Sequence, residues 1–187
     1  LLTLAAARYF ALGEIPPRLG TEHPGRVPSA TFRCRDGKFA HLTASDQHWD
    51  PLCKALNLNF DLDLSTNETR VEHRETIMQK LTEVISKIER AKLLEMLDEV
   101  EVPIGPVNDV AEILSDPHVR ARGLVGSFDY PGVGEFKALA LPYKFLGWDN
   151  PEVGAPPALG ADTDRVLREM LGYSAEKIAK LKSAKAV

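Results

Sequence analysis

The chain has 187 residues and a formal net charge of −4, and 44% of its residues are hydrophobic and 27% are charged. These values are typical of globular proteins, and an isoelectric point of about 5.8 disfavours a nucleic-acid-binding protein. No apolar run approaches the roughly 18 residues of a membrane-spanning helix. The two cysteines, Cys34 and Cys53, are too few for a disulfide-dense secreted scaffold. We therefore expect a cytoplasmic globular protein whose partners are neither nucleic acids nor membranes.

The first residues are rich in leucine and alanine, which favour a helix. A signal peptide would carry a basic stretch before its apolar run, but the only early base, Arg8, follows that run. Gly13 and the pair Pro16-Pro17 then end the helix. We expect residues 1–10 to be the C-terminal half of a helix that begins upstream, so that part of the natural chain is missing. The alternative is a chain that was simply trimmed at this point.

The segment from Gly13 to Pro28 is predicted to be a long, stiff loop. It contains four prolines and three glycines and has little hydrophobic periodicity. Proline fixes its own φ and favours extended backbone at the preceding residue. Long ordered loops in compact domains are uncommon, and many of them are functional. A connector between two domains explains the composition equally well.

A β-hairpin and a helix are predicted next. The strand-like runs 30–34 and 38–43 flank Asp36-Gly37, a dipeptide that is typical of a hairpin with a type I′ turn. Ser45 can cap a helix that runs from Asp46 to about Leu56. The apolar stripe of this helix consists of Trp49, Leu52, Cys53 and Leu56.

Two Ser-x-x-Glu patterns, Ser65 with Glu68 and Ser86 with Glu89, predict the starts of two further helices. Both helices carry apolar residues at helical spacing, which are most simply core positions. These residues are Ile77, Leu81, Val84, Ile85 and Ile88 in the first helix and Leu93, Leu94, Leu97 and Val100 in the second. An extended segment, 104–107, follows Pro103.

Short helices and two strands are predicted for the rest of the chain, and together with the preceding elements they indicate an α+β fold. Asp109 and Asp116-Pro117 are placed to start the helices, and Ser174 to cap the last one. The predicted elements are helices through Leu114 and up to Gly123, strands 124–130 and 135–141, a proline-rich connector 148–158, and helices 164–171 and 175–182.

The motifs of several common enzyme and metal sites are absent from the sequence. The histidines lie on separate predicted elements, and there is neither a phosphate-binding loop nor a Gly-x-Ser-x-Gly elbow. Cys34 in a strand and Cys53 on an apolar helix face are more consistent with packing than with catalysis. His23 is the most distinctive titratable residue, since it lies in the stiff loop where ligand contacts are common. An idle, exposed histidine is the simpler interpretation.

Short motifs in a specific order nevertheless carry a resemblance over nearly the whole chain. They are Leu19-Gly20, His23-Pro24, Pro28, Phe32, Asp36-Gly37, Trp49-x-x-Leu52-Cys53-x-x-Leu56, Arg70, Pro103-Ile104-Gly105-Pro106-Val107, Asp116-Pro117-His118-Val119-Arg120-Ala121-Arg122, Pro142, Ala155-Pro156-Pro157-Ala158-Leu159-Gly160, Val166-Leu167, Gly172-Tyr173-Ser174 and Ile178. In this order they resemble the small-domain half of class III CoA-transferases. That family includes formyl-CoA transferase, carnitine CoA-transferase and α-methylacyl-CoA racemase.

The resemblance implies a domain organisation. Residues 1–28 would be the end of a large-domain helix and a first linker, and residues 29–145 a small α+β domain. Residues 146–187 would be a second linker and C-terminal helices that pack on a Rossmann-like α/β large domain. Two full-length chains of this family interlock as rings in a homodimer. The family binds no permanent cofactor, and coenzyme A enters as the acyl-CoA substrate with a small carboxylic acid.

The resemblance also implies a mechanism and a site. In the transferases an aspartate attacks the acyl-CoA thioester and forms a mixed anhydride, but that aspartate lies upstream, so this chain contains no catalytic residue and no metal ligand. Formyl-CoA transferase has a mobile glycine-rich loop before the first small-domain strand. The corresponding residues here are His23, Pro24, Gly25 and Arg26, whose single glycine disfavours formyl- or oxalyl-CoA chemistry. His23 or Arg26 is then a candidate contact for an acyl carboxylate.

Two alternatives remain open from the sequence. An acyl-CoA racemase has the same fold and uses a His/Asp pair that also lies upstream. A non-catalytic α+β binding or dimerisation module would need none of this chemistry.

Overall fold

A computed structural model of the protein describes residues 2–147 and 153–187. Residue 1 of the predicted first helix and residues 148–152 of the predicted connector lie outside this description. The elements are α1 (Thr3–Leu12), β1 (Ser29–Arg33), β2 (Phe39–Thr43), α2 (Asp46–Ala55), α3 (Asn67–Glu72), α4 (Arg74–Ile85), α5 (Arg90–Asp98), β3 (Ile104–Val107), α6 (Val110–Ser115), α7 (Pro117–Ala121), β4 (Val125–Tyr130), β5 (Gly134–Leu139), α8 (Thr163–Arg165), a π-helical turn (Val166–Met170) and α9 (Ala175–Ser183). The predicted α+β fold is confirmed.

The chain divides between Asp109 and Val110 into two compact units, here called unit 1 and unit 2. Unit 1 contains α1 to α5 and the three strands β1 to β3, whereas unit 2 contains the remaining elements. The proposed organisation with boundaries after residues 28 and 145 concerns a longer protein and stays a prediction.

Unit 1 is built on an antiparallel sheet in the order β1-β2-β3. Residue 30 pairs with residue 42 and residue 32 with residue 40, and residue 42 also pairs with Ile104. Because side chains alternate along a strand, Ala30 and Phe32 on β1 and Ala40 and Leu42 on β2 point to one face, and all four are buried. The predicted strands and the extended segment at 104–107 are therefore confirmed.

The hairpin between β1 and β2 has a three-residue loop instead of the predicted type I′ turn. The Gly37 N–H donates to the Cys34 carbonyl at 3.0 Å, which closes a β-turn, and Gly37 itself has φ +79°. A type I′ turn needs positive φ at both central residues, but Asp36 is not in that region. A β-turn followed by glycine in the left-handed region is the usual three-residue hairpin loop.

The predicted cap of α2 is present. Ser45 precedes the helix, its N–H donates to Nδ1 of His48 at 3.3 Å, and its hydroxyl shares a hydrogen bond with the same atom at 2.8 Å. Ser45 and His48 thus form a capping box, in which histidine takes the position where glutamate or glutamine is usual.

The two other predicted caps are wrong. α3 begins after Thr66, whose Oγ1 accepts from the Thr69 N–H, because the Ser65 carbonyl accepts a hydrogen bond from Arg70 at 3.0 Å instead. Ser86 lies at the C-terminal end of α4 and donates to the Glu83 carbonyl at 3.0 Å. α5 begins after Glu89. The Arg35 backbone N–H donates to the Ile88 carbonyl at 2.8 Å, and this bond keeps the residues before α5 beside the hairpin.

The core of unit 1 lies between one face of the sheet and helices α2, α4 and α5. Most of the predicted stripe residues are in it, although Cys53, Val84, Ile88, Leu94 and Val100 are only partly buried at its edge. Its buried members are Val27, Ala30, Phe32, Cys34, Ala40, Leu42, Ala44, Trp49, Leu52, Leu56, Leu58, Leu64, Ile77, Leu81, Ile85, Leu93, Leu97 and Val102.

Unit 2 is built around the antiparallel β4–β5 ribbon. Phe128 and Phe136 are directly opposite on the two strands, with ring centroids 6.2 Å apart and an interplanar angle of 21°. Asp116 caps α7 by accepting the N–H of His118 at 2.7 Å, and Ser174 caps α9. The strands and helix starts predicted for this part are confirmed.

Among residues 2–147 and 153–187, we find no helix with the length and apolar character needed to cross a bilayer.

Candidate functional site

The loop from Gly20 to Pro28, called the substrate loop below, lies in unit 1 and enters the core at its C-terminal end. Val27 and Pro28 are completely buried. At the other end, the His23 N–H donates to the Ser29 carbonyl at 3.0 Å, and Thr21 Oγ1 accepts the Thr31 N–H at 3.1 Å. The exposed part of the loop is therefore fixed at both ends: by these hydrogen bonds to β1 at its N-terminal end, and by the burial of Val27 and Pro28 at its C-terminal end.

The four predicted loop residues lie in this exposed part. His23, Gly25 and Arg26 are exposed and Pro24 is half-buried. The Gly25 N–H donates to Nδ1 of His23 at 3.1 Å. Since Nδ1 is the acceptor, the neutral imidazole carries its proton on Nε2, where it can donate to a ligand. Arg26 adds a permanent positive charge next to this donor.

Asn67, the first residue of α3, holds the backbone on both sides of Arg26. Its Nδ2 donates to the Gly25 carbonyl at 2.9 Å, and its Oδ1 accepts the Val27 N–H at 3.1 Å. The amide thus bonds the loop as a neighbouring strand would, one donor and one acceptor. The Arg26 side chain stays outside this pair of bonds and remains exposed.

Arg70, one turn later, is a completely buried arginine. Its Nε donates to the Val27 carbonyl at 2.7 Å, and its Nη1 donates to the Leu64 and Ser65 carbonyls at 2.9 and 3.0 Å. Its Nη2 pairs with Asp46 at 2.5 Å. A buried guanidinium is tolerated only when its donors are used in this way. Arg70 therefore joins the end of the substrate loop to the starts of α2 and α3.

Arg74, the first residue of α4, holds the N-terminal side of the loop. Its Nη2 donates to the carbonyls of His23 and Pro24 at 3.0 and 2.8 Å. Its Nη1 donates to Glu22 Oε2 at 3.0 Å. The bidentate guanidinium thus fixes two consecutive peptide groups and one carboxylate at once.

Asn67, Arg70 and Arg74 form what we call the loop clamp. Asn67 and Arg70 lie three residues apart on α3, so they face the same side of that helix, and Arg74 begins α4 directly after it. Sequence reasoning missed Asn67 and Arg74 and included Arg70 only through the family resemblance. The available signal was an arginine at a helix position that the periodicity assigns to the core.

A cleft of about 710 Å³ lies between α1, Pro16-Pro17 and the start of the substrate loop. Its two arginines are paired, Arg8 with Glu14 and Arg74 with Glu22. The exposed groups of His23 and Arg26 are not among its lining residues. These two side chains are therefore presented to solvent and not to this cleft.

Both thiols are poor nucleophiles. Cys34 is 3% exposed, and burial, with the nearby charge of Asp36, raises the pKa of its thiol. Burial, followed by the charge of Asp50, raises the pKa of Cys53 to about 11. Both are protonated near neutral pH, which favours the packing interpretation. In the parts of the chain that the structure describes, no cluster of His, Cys, Asp or Glu could hold a metal ion.

Comparison with protein families matches residues 1–163 to "CoA-transferase family III". The human succinyl-CoA:glutarate CoA-transferase is 30% identical over 186 residues, covering 98% of this chain and 42% of that protein. The succinyl-CoA:mesaconate CoA-transferase of Haloarcula hispanica is 32% identical over 129 residues, with coverages of 68% and 32%. The formyl-CoA:oxalate CoA-transferase of Rhodopseudomonas palustris is 25% identical, with coverages of 90% and 41%.

A solved structure shares this fold. The crystal structure of a CAIB/BAIF family protein from Brucella suis superposes with a TM-score of 0.72 at 29% identity, covering 91% of this chain and 44% of that one. The chain therefore spans about two fifths of the length of the relatives it matches. The resemblance seen in the sequence is confirmed: the chain belongs to CoA-transferase family III.

Proposed function

We propose that the longer protein containing this chain transfers CoA between an acyl-CoA and a carboxylic acid, and that the substrate loop forms one wall of its acyl site. The observation that carries this proposal is the exposed His23–Arg26 segment, held at several backbone atoms, in a member of CoA-transferase family III. A positioned loop on a rigid scaffold is a common location for ligand contacts.

The chemistry proposed for the whole protein is nucleophilic. An aspartate outside this chain attacks the thioester carbonyl, its oxygen forms a new bond to the acyl carbon, and the C–S bond breaks to release CoA thiolate. The thiolate then attacks the aspartyl carbonyl of the anhydride and frees the donor acid. The acceptor acid repeats these two steps in reverse. Covalent catalysis of this kind divides one difficult transfer into easier ones.

The proposed acids are small dicarboxylates. Three relatives are named for succinyl-CoA with glutarate, succinyl-CoA with mesaconate, and formyl-CoA with oxalate, so each name includes a dicarboxylic acid or its thioester. One carboxylate of such an acid reacts, while the other needs a cation or a hydrogen-bond donor. Arg26 and the Nε2–H of His23 can supply both. A loop with a single glycine favours the longer acids over oxalate.

The test uses the full-length protein with succinyl-CoA as donor and glutarate, mesaconate or butyrate as acceptor, with the CoA products separated by chromatography. Arg26→Met should raise KM for the dicarboxylates by about 10–100-fold, the size expected for one lost charge-assisted hydrogen bond. Rates with butyrate should change little. Arg18→Met is the matched control, since Arg18 is an exposed arginine of the same connecting segment.

The same samples separate transfer from racemisation. A racemase would exchange the α-proton of a 2-methylacyl-CoA for deuterium in D₂O without an acceptor acid. Deuterium uptake without CoA transfer would contradict the proposal, and absence of both reactions would favour a binding module.

A further inference from the structure

The bonds of the loop clamp are of two kinds. Arg70 donates to the buried carbonyls of Val27 and Leu64, which would otherwise have no partner. Asn67 and Arg74 donate instead to the exposed carbonyls of Gly25 and His23, where water could replace the side chain. Their other hydrogen bonds, to the Val27 N–H, the Pro24 carbonyl and Glu22, are partly buried. Loss of Arg70 should therefore cost the most stability, because an unpaired buried carbonyl is costly. Loss of Asn67 or Arg74 should cost less.

The effect of Asn67 and Arg74 is therefore on the geometry of the loop. Together they hold the carbonyls of His23, Pro24 and Gly25 and the N–H of Val27. This leaves Arg26 between two fixed peptide groups with its side chain in solvent. A group that is ordered before its ligand arrives avoids the ordering cost on binding.

We propose that Asn67 and Arg74 are positioning residues, which orient the substrate loop so that Arg26 and His23 meet the non-reacting carboxylate of the acid. This inference rests on the proposed function, because it assigns that acid to the loop. It adds two residues, one from the start of α3 and one from the start of α4, that never touch the substrate themselves.

The kinetic test uses the full-length enzyme with succinyl-CoA and glutarate. Asn67→Ala and Arg74→Ala should each lower kcat/KM for glutarate by about 10–100-fold, the scale expected when a binding group is misplaced by about an ångström. The melting temperature should fall less than in Arg70→Met, whose lost bonds are all buried or partly buried. Arg74→Lys should recover part of the loss, because an ammonium can still donate to one of the two carbonyls. Glu75→Ala is the control, since Glu75 is the exposed neighbour of Arg74 on α4.

A second measurement reads the loop without using activity. Trypsin cleaves after Arg26 only if the loop can leave its fixed conformation, whereas the exposed Arg18 provides a reference site in the same chain. Cleavage after Arg26, relative to Arg18, should accelerate in Asn67→Ala and Arg74→Ala and stay unchanged in Glu75→Ala. If Arg74→Ala does not fold, Asn67→Ala and Arg74→Lys provide the same comparison.

The outcomes separate this inference from the proposed function. If the wild-type enzyme transfers no CoA, the proposed function fails. If, in addition, trypsin cleaves after Arg26 at the same rate in Asn67→Ala and Arg74→Ala as in the wild type, the loop clamp does not hold the loop. If the enzyme is active, unchanged kcat/KM in both variants overturns the positioning role, whether or not cleavage accelerates. Slower turnover with faster cleavage and a smaller loss of melting temperature than in Arg70→Met supports it.

Discussion

Replacing Arg70 by methionine tests whether the buried guanidinium stabilises unit 1 through its carbonyl acceptors or through its ion pair. Methionine fills much of the same volume but donates no hydrogen bond. The carbonyls of Val27 and Leu64 would then be buried without a donor. At about 1–3 kcal/mol for each, the free energy of unfolding should fall by about 2–6 kcal/mol.

The ion pair should contribute much less, because its two ends differ in exposure. The Asp46 side chain is 62% exposed, whereas that of Arg70 is completely buried. The carboxylate is therefore hydrated and its attraction screened. Asp46→Asn keeps an oxygen that can accept from Nη2, so it should cost only about 1 kcal/mol.

Hydrogen exchange of the β1 and β2 amides in the full-length protein measures this difference, since it reports the local opening of unit 1. Arg70→Met should accelerate exchange at strand pairs such as 30 with 42 far more than Asp46→Asn does. Equal protection in the two variants would refute the assignment of the stabilisation to the carbonyls.

Three other predictions follow from the geometry and charges of unit 1 and from the proposed upstream position of the nucleophile. Gly37 has φ +79°, so Gly37→Val should lower the free energy of unfolding by about 1–3 kcal/mol, whereas Gly37→Asn should cost clearly less; equal melting temperatures would contradict this. The pKa of Cys53 is raised to about 11 from an ordinary value of 9.0, so the folded state favours the protonated thiol. The contribution of the protonated Cys53 thiol to stability is complete below pH 9 and is lost between about pH 9 and pH 11. The rate at which iodoacetamide alkylates Cys53 should still rise from pH 9 to pH 10, whereas the rate for an ordinary thiol approaches a plateau there. The 187-residue chain, purified alone, should transfer CoA from no acyl donor; turnover, or an acyl adduct on one of its carboxylates in mass spectrometry, would contradict the upstream position of the nucleophile.

Local sequence signals predicted most elements of the fold correctly. The alternation of Phe32 and Cys34 with polar neighbours marked β1, and Ser45 marked the start of α2. Both signals depend on residues within one turn or one strand, so no distant contact is needed to interpret them. The fold class followed from the order of such elements.

The wrong details each depend on contacts that the local sequence patterns do not contain. Ser65 has a glutamate three places later, but its carbonyl is bound by Arg70, and the cap moves to Thr66. The length of the hairpin loop depends on how far the pairing extends. The Cys34 N–H donates to the Lys38 carbonyl at 2.8 Å, which leaves three residues in the loop, one more than a type I′ turn allows. A pattern of residue types does not contain this information.

The candidate site shows the same limit more strongly. The composition of residues 20–28 predicts a stiff loop, and that prediction rests on its prolines. In the structure the shape of the loop is instead determined by side chains 40, 43 and 51 positions further along, at Asn67, Arg70 and Arg74. Since Asn67 and Arg74 also donate to the exposed carbonyls of Gly25 and His23, the helices α3 and α4 can change loop geometry without loss of the core. A family member with a different residue at 67 or 74 should therefore present the same loop sequence at a different angle, and its acid specificity should differ accordingly.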